Sequence, residues 1–219
     1  MNYQPILQLS DEWWAAKVGK ISGTRFGQLI SGRDNMLIDE LANEILDDYI
    51  FRDNFESEEM AFGNENEPVA IEEYETISGL KFDRGGVIFS ELNPKIHMAS
   101  PDGITADRKI IVEVKCTTSG KLQISRFRRG IDKDKLPQVI NYFAVAPEVE
   151  EVHWVSYCPF RQEIPIVSYI FKRDTVIEEK TYVKKPPEII TIQDRVNEGL
   201  ALIPKLESDL LTLINKIKF

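Results

Sequence analysis

The stretch Lys109-Ile-Ile-Val-Glu-Val-Lys-Cys116 constrains this chain most. Ile110, Ile111, Val112 and Val114 are β-branched, and such residues favour a pleated, packed strand. A nearly unbroken apolar run belongs in the middle of a sheet that is covered on both faces. Yet this run carries Glu113 and Lys115, two positions apart, which a strand directs to one face. Charged groups in such surroundings need partners. The fold must therefore supply a central sheet and a way to keep a carboxylate and an ammonium beside it.

The flanking segments provide the material. After Gly79 the pattern changes from a helical period to strand-like texture. Consecutive antiparallel strands are predicted at 81–89, with Gly85-Gly86 as a turn or bulge, at 95–99 and at 109–116, with Asp107-Arg108 in one of the turns. Two more strands are predicted at 152–157 and 164–171. Asp11 is expected to cap a short helix through Trp13 and Trp14 that Gly19 ends, and Ser22 or Thr24 to cap a second carrying Phe26, Leu29 and Ile30. Leu37, Leu41, Ile45 and Tyr49 mark the apolar face of a helix over 36–49, and the acidic segment 51–60 reads as a loop. Phe62, Val69, Tyr74 and Ile77 mark a helix over 61–78, with Pro68 in a first turn or at a kink and Gly79 as the stop. Pro137 opens a helix over 135–146. Residues 119–130 carry no decisive pattern, and 184–187 read as a linker. A long amphipathic helix follows over 193–218, with Val196, Leu200, Ile203, Leu206, Leu210, Leu213 and Ile217 on one stripe and a bend at Pro204. The order predicts an α/β (α+β) fold, a central mixed sheet flanked by helices. One domain over 1–219 is expected, with its working core in 10–175 and a C-terminal helix in 188–219 that serves packing or subunit contacts.

Composition narrows the function. No apolar run approaches the roughly 20 residues of a membrane span, and the N-terminus shows no secretion signal, so a cytoplasmic protein is expected. Cys116 and Cys158 are too few for a disulfide framework or a four-cysteine metal site and read as reduced packing residues. A net charge of -9 argues against a protein that coats nucleic acid non-specifically. A local exception lies in 115–135, where Lys121, Arg126, Arg128, Arg129 and Lys133 outnumber Asp132 and Asp134 and make a plausible phosphate track.

Pro101-Asp102 precedes Glu113-x-Lys115 by a short polar turn, and an antiparallel partner strand brings Asp102 towards Glu113. Hydrolysing a phosphodiester requires an activated water, compensation of charge at phosphorus and a stabilised leaving oxygen. Mg²⁺ supplies all three and takes oxygen ligands. Asp102, Glu113 and the Val114 carbonyl form a partial cage of that kind, and Lys115 can orient the nucleophile or offset charge. Gly63-x-x-x-Glu67 adds a carboxylate ahead of the sheet. Gln138-x-x-x-Tyr142 puts an amide and a phenol on one helix face. At the N-terminus, Lys17 and Arg25 flank a helix start at Ser22 and Thr24 that suits an anion. His97 and His153 show no metal-ligand spacing and are expected to be packed strand histidines.

Gly63-x-x-x-Glu67, Pro101-Asp102, Glu113-x-Lys115 and Gln138-x-x-x-Tyr142, in that order, resemble the RecB-type branch of the PD-(D/E)XK nuclease superfamily. With Trp13-x-x-x-Lys17-x-Gly19-x-Ile21-Ser22-Gly23-Thr24 and Ser100-Pro-Asp-Gly103 added, the chain is similar over residues 10–160 to the phage lambda exonuclease (YqaJ-type viral recombinase) family. The resemblance implies a restriction-endonuclease-like core and Mg²⁺-dependent (or Mn²⁺-dependent) 5′ to 3′ degradation of one strand of duplex DNA, with two ions per site. It also implies mononucleotide products, a 3′ overhang, a homotrimeric ring acting on free duplex ends, a phage single-strand annealing protein as partner and a bacterial host. Carried over, Asp102, Glu113 and Val114 hold metal, Glu67 and Gln138 assist, and Lys115 acts on the nucleophile. Lys17 and Thr24 meet the 5′ phosphate. Beside the resemblance, the residues themselves place Ser22 and Arg25 at the same anion-suited helix start, Tyr142 at the DNA, and Arg126 and Arg128 on the basic track. Lys17 stands where the family has Arg and lacks the bidentate fork, which weakens the expected phosphate preference. Two other readings remain: another PD-(D/E)XK nuclease, such as a RecB- or Cas4-like enzyme or an endonuclease, and an inactive DNA-binding module. The missing cysteine cluster speaks against the Cas4-like form, and the intact Asp-Glu-Lys set against the inactive one.

Overall fold

The computed structural model describes residues 1–50, 57–182 and 185–218. In chain order the elements are β1 (Asn2–Gln4), α1 (Asp11–Lys17), α2 (Gly23–Ile30), α3 (Asp34–Asp47), α4 (Glu58–Ser78), β2 (Asp83–Arg84), β3 (Val87–Phe89), β4 (Met98–Ala99), β5 (Gly103–Ile104), β6 (Ile110–Cys116), α5 (Gly120–Arg129), α6 (Leu136–Val145), β7 (Glu151–Tyr157), β8 (Ile166–Phe171), β9 (Val176–Tyr182), β10 (Lys185–Thr191) and α7 (Ile192–Lys218).

The β-branched stretch forms β6, third of five strands in the order β2-β5-β6-β7-β8. It pairs antiparallel with β5 and parallel with β7, and α5 and α6 form the crossover that a parallel pair requires. Alternation along β6 divides the protein into layers. Val112 and Val114 pack with Ala70, Ile71 and Tyr74 of α4 on one face. Ile111 faces the larger core, which contains Val139 and Phe143 of α6, Leu37 and Leu41 of α3, and Val196, Ile203, Leu206 and Leu210 of α7.

Several expectations need correction. The predicted run of consecutive antiparallel strands is divided between two sheets: β3 and β4 join β1, while β2 pairs with β5. Gly85 and Gly86, at φ 67° and 93°, make the change of direction, and a side chain on Gly86 would strike the Tyr3 ring. Ser10, not Asp11, caps α1 by accepting from the Trp13 amide. Ile45 and Tyr49 are exposed, and α3 buries Ile38 and Ala42 instead. Pro68 sits well inside α4, which begins at Glu58 rather than at 61; the rest of the expected acidic loop, 51–56, lies outside the described residues. Most of the expected linker is strand β10, although residue 184 lies outside the described residues. Two prolines are compatible with this strand because, among the described residues, the β9–β10 ribbon has two strands and an irregular register. The unassigned 119–130 forms α5, with the Ser119 hydroxyl accepting from the Leu122 amide.

Among the described residues no helix is long and apolar enough to cross a membrane. Cys116 and Cys158 are free thiols, Cys158 buried. His97 and His153 lie inside: Asn141 Oδ1 is 2.8 Å from His97 Nε2, and Tyr74 Oη is 2.8 Å from His153 Nδ1.

The C-terminal helix closes on α2 at Gly199, where an added Cβ would stand 2.1 Å from Phe26 Cζ. Phe26 is fully buried and stacks on His97, so it cannot yield freely. Gly199→Ala is therefore expected to cost about 1–3 kcal/mol by overpacking. It should lower the urea midpoint with an unchanged m-value; an unchanged midpoint would show that α2 and α7 do not pack this closely.

Candidate active site

The site forms where β5 stops and β6 continues. Gly103 is opposite Val112, so Asp102, just before β5, lies beside Glu113. With no further β5 residue to pair, the Val114 amide donates to Asp102 Oδ2 at 2.7 Å. In a strand the N–H and C=O of one residue point the same way, so the Val114 carbonyl faces Asp102 as well. Gln8, from the segment before α1, donates to the Pro101 carbonyl at 3.2 Å and lies 3.5 Å from Asp102 Oδ1.

Glu113 is only 1% exposed. One of its oxygens accepts from the Lys115 ammonium and the other from the Tyr142 hydroxyl, both short charge-assisted contacts. Gln138, one turn before Tyr142 on α6, reaches the same hydroxyl at 3.4 Å. A cavity of about 200 Å³ opens over this group. Its lining brings together Asp102, Glu113, Lys115, Gln138 and Tyr142 with Lys17, Ser22 and Thr24 from the N-terminal helices. Ser22 stands at the N-cap of α2 but makes no side-chain cap bond, so the first-turn amides of α2 keep their capacity for an anion.

The carboxyls of the site repel one another. Burial, then Glu113 and Glu67, hold the Asp102 carboxyl well above the ordinary carboxylate range. Burial and Glu113 likewise raise Glu67, on α4. Burial alone would lower Lys115, but Glu113 and Asp102 outweigh it and keep the ammonium charged beyond the usual lysine range. Burial, then Glu67 and Asp102, push the neighbouring Cys116 thiol up to about 12. Asp102, Glu113 and Glu67 thus lie around the Lys115 ammonium, with Lys17 across the cavity and Arg84 acting on Glu67, and a cation placed among the three carboxyls would offset their mutual repulsion. Among the described residues no three His, Cys, Asp or Glu side chains converge closely enough to hold a metal ion by themselves. The available donor set is Asp102, Glu113 and the Val114 carbonyl, all oxygen, with Glu67 nearby.

A model of the YqaJ-like viral recombinase domain matches residues 12–148. The chain belongs to this family. No curated protein sequence matches it. An alkaline exonuclease (LHK-Exo) from Laribacter hongkongensis, determined alone and in complex with dAMP, superposes with TM-score 0.72 at 23% identity, over 95% of this chain and 98% of that one. A phage related exonuclease from Haemophilus somnus 129PT superposes with TM-score 0.55 at 16% identity, over 89% and 96%. At these identities the likeness is one of fold, a mixed sheet flanked by helices.

In this YqaJ-like domain three of the expected DNA contacts lie elsewhere. Arg126 is 5% exposed, forms a forked pair with Asp132, donates to Ser156 Oγ and lies over the Trp154 ring; it is part of the core, not of a phosphate track. Arg25 is engaged by Glu44 and the Lys20 carbonyl and does not line the cavity. Arg128 is exposed on the last turn of α5, away from the cavity lining. Tyr142, expected at the DNA, is 1% exposed and serves Glu113. Gln8 and Asn141 line the cavity without being expected there: Gln8 meets Asp102 across a long chain distance that leaves no local pattern, whereas Asn141 lies one helical turn after Gln138, a spacing that could have pointed to it. Trp13 donates to Ser100 Oγ at 2.8 Å, tying the entry segment to the turn before Asp102.

Lys17 is the cation of the cavity on the N-terminal side. Its ammonium lies 3.9 Å from the Trp13 ring centre, and burial followed by repulsion from Arg25 lowers its pKa to about 8. Above pH 8 the folded protein releases this proton while the unfolded chain still holds it, so the cost of burying the charge is full below pH 8 and fades as pH rises towards the ordinary lysine value. A heteronuclear NMR titration should place the Lys17 midpoint near pH 8. Inorganic phosphate should raise it by favouring the charged form. A midpoint at the ordinary lysine value would place Lys17 in solvent.

Proposed function

We propose that this chain is a metal-dependent exonuclease that degrades the 5′-ended strand of linear duplex DNA, releasing mononucleotides and leaving a 3′ overhang. The observation that carries the reading is the meeting of Asp102, Glu113, Lys115 and the Val114 carbonyl at the end of β5, in a cavity that also holds Lys17 and the start of α2. The dAMP bound to the Laribacter enzyme supports a nucleotide-sized product.

The residues fit Mg²⁺, with Mn²⁺ as a substitute: their donors are hard oxygens, and Asp102 and Glu113 stand side by side. In this reading Asp102, Glu113 and the Val114 carbonyl hold the metal, as one or two ions. Bound there, it supplies the Lewis acidity that activates water and offsets charge on the phosphoryl group. Lys115, kept charged by its carboxylate neighbours, orients the attacking oxygen and offsets charge at phosphorus. Tyr142 fixes the Glu113 carboxylate, and Gln138 holds the phenol in place. Glu67 adds negative charge that favours the cation. Lys17, Ser22 and Thr24 receive the 5′ phosphate, Lys17 as a point charge rather than a fork. A homotrimeric ring threaded by free-ended duplex, working with a single-strand annealing protein in a bacterial cytoplasm, completes the proposal.

Glu113→Gln and Lys115→Ala should each lower cleavage by at least about 10²-fold, the order expected for removing a preorganised charge-stabilising group, with an unchanged circular dichroism spectrum. Wild-type rates in either variant would remove these residues from the site. With Mg²⁺, end-labelled linear duplex should be consumed from its 5′ ends while a covalently closed circle persists, and a chelator should stop the reaction. Rapid cutting of the circle would favour an endonuclease of the same superfamily.

A further inference from the structure

A second cleft lies directly beyond Lys115, between the first half of α4 and the start of α5. Its volume is about 320 Å³, and Phe62, Cys116, Thr117, Ser119 and Arg126 are among its walls, the Arg126 guanidinium being already engaged by Asp132 and Ser156. The Phe62 ring stacks on Phe160, with centroids 6.0 Å apart and planes inclined by 27°. Phe160 is 67% exposed, and neither ring belongs to the hydrophobic clusters of the protein. A stacked aromatic pair that the core does not use, with one face open to solvent, is a platform for another π-face. The Thr117 and Ser119 hydroxyl oxygens each accept from a backbone amide, at 3.1 and 3.2 Å, which leaves their protons available for donation. Beside them Arg161 lies against Gly120, where a Cβ would stand 2.6 Å from Nη2, and its buried Nε has no hydrogen-bond partner among the described residues. Glu59, on the α4 wall, disfavours a phosphate on that side.

We infer that this cleft, with Phe160 and Arg161 beside its lining, is a subsite for one unpaired nucleotide of the DNA strand, with the base against the Phe62–Phe160 pair and the phosphate towards Thr117, Ser119 and Arg161. The inference rests on the nuclease reading above. The cleft volume lies at the small end of the roughly 300–1,000 Å³ of small-molecule pockets, enough for a nucleoside and too little for a duplex. Aromatic side chains stack on bases only when these are unpaired, and they do so with little sequence preference. The subsite continues the active strand, since Cys116 and Thr117 follow Lys115 without a break. It therefore holds a nucleotide neighbouring the one being cleaved, after local strand separation.

The test uses a single-stranded oligodeoxynucleotide with one 2-aminopurine moved along its 5′-terminal positions, bound to the full chain in chelator, with cleavage of linear duplex measured in parallel in Mg²⁺. Wild type should quench the probe at one position. Phe160→Ala should abolish that quenching and weaken binding by about 5- to 100-fold, the range of one lost base stack. Phe160→Tyr should restore both, and Arg161→Ala should weaken binding without removing the quenching. Quenching by wild type at no position, or unchanged quenching and affinity in both Phe160→Ala and Phe62→Ala, would overturn the subsite. A change of oligomeric mass in Phe160→Ala would overturn it in favour of an interface between copies. Duplex cleavage without position-specific quenching leaves the nuclease reading and removes the subsite. Quenching that depends on Phe160 without any cleavage keeps the subsite and removes the nuclease reading.

Discussion

Glu113 is a carboxylate almost wholly removed from water on the central strand of a sheet, and the arrangement around it follows from compensating that charge. An isolated buried carboxylate costs several kcal/mol even after relaxation, so its oxygens must be met. Lys115 meets one from the same strand face, and Tyr142 meets the other from the crossover helix. Both solutions require β6 to be central and α6 to cross over it, which is what the parallel β6–β7 pair imposes.

The compensation is incomplete. Arg126 shows how this protein treats a buried charge whose role is structural: a forked pair with Asp132, a bond to Ser156 and an aromatic face beneath it. At the active strand, Asp102 and Glu67 instead crowd the Lys115 ammonium, and their carboxyls are held above the ordinary range. The shortness of β5 has a related effect. By ending opposite Val112 it leaves the Val114 peptide facing Asp102 rather than a strand partner. A fold under selection for stability alone gains nothing from either feature, and both are what the proposed metal site would use.

Much of the site was legible because its residues lie close together in local patterns. Glu113 and Lys115 share a face through strand alternation, and Gln138 and Tyr142 through helical spacing. Strong periodicity also placed α6 and α7, and Gly79, at φ 73°, ends α4 as expected. Failures occurred where the local pattern was ambiguous. A basic run between two elements looks the same whether its arginines face solvent or, like Arg126, reach inward to an acid six residues away. Ile45 on α3 and Tyr49 beyond its end continue the apolar spacing yet are exposed. A Pro-Pro pair resembles a linker until it proves to lie in a strand that, among the described residues, has a single strand partner.

The sequence by itself determined the central strand, the face on which its charges lie and the order of the motifs. These depend on side-chain branching, period and spacing, which act over a few residues. The tertiary structure alone decided which separated segments meet: Gln8 beside Asp102, Trp13 on Ser100, α2 opening onto the same cavity as α6, and Phe62 on Phe160. Such contacts join positions tens of residues apart, and their geometry is set by sheet order and helix packing. The mutual repulsion of the carboxyls belongs to this second class, because it arises from where the assembled core brings Asp102, Glu113 and Glu67 together.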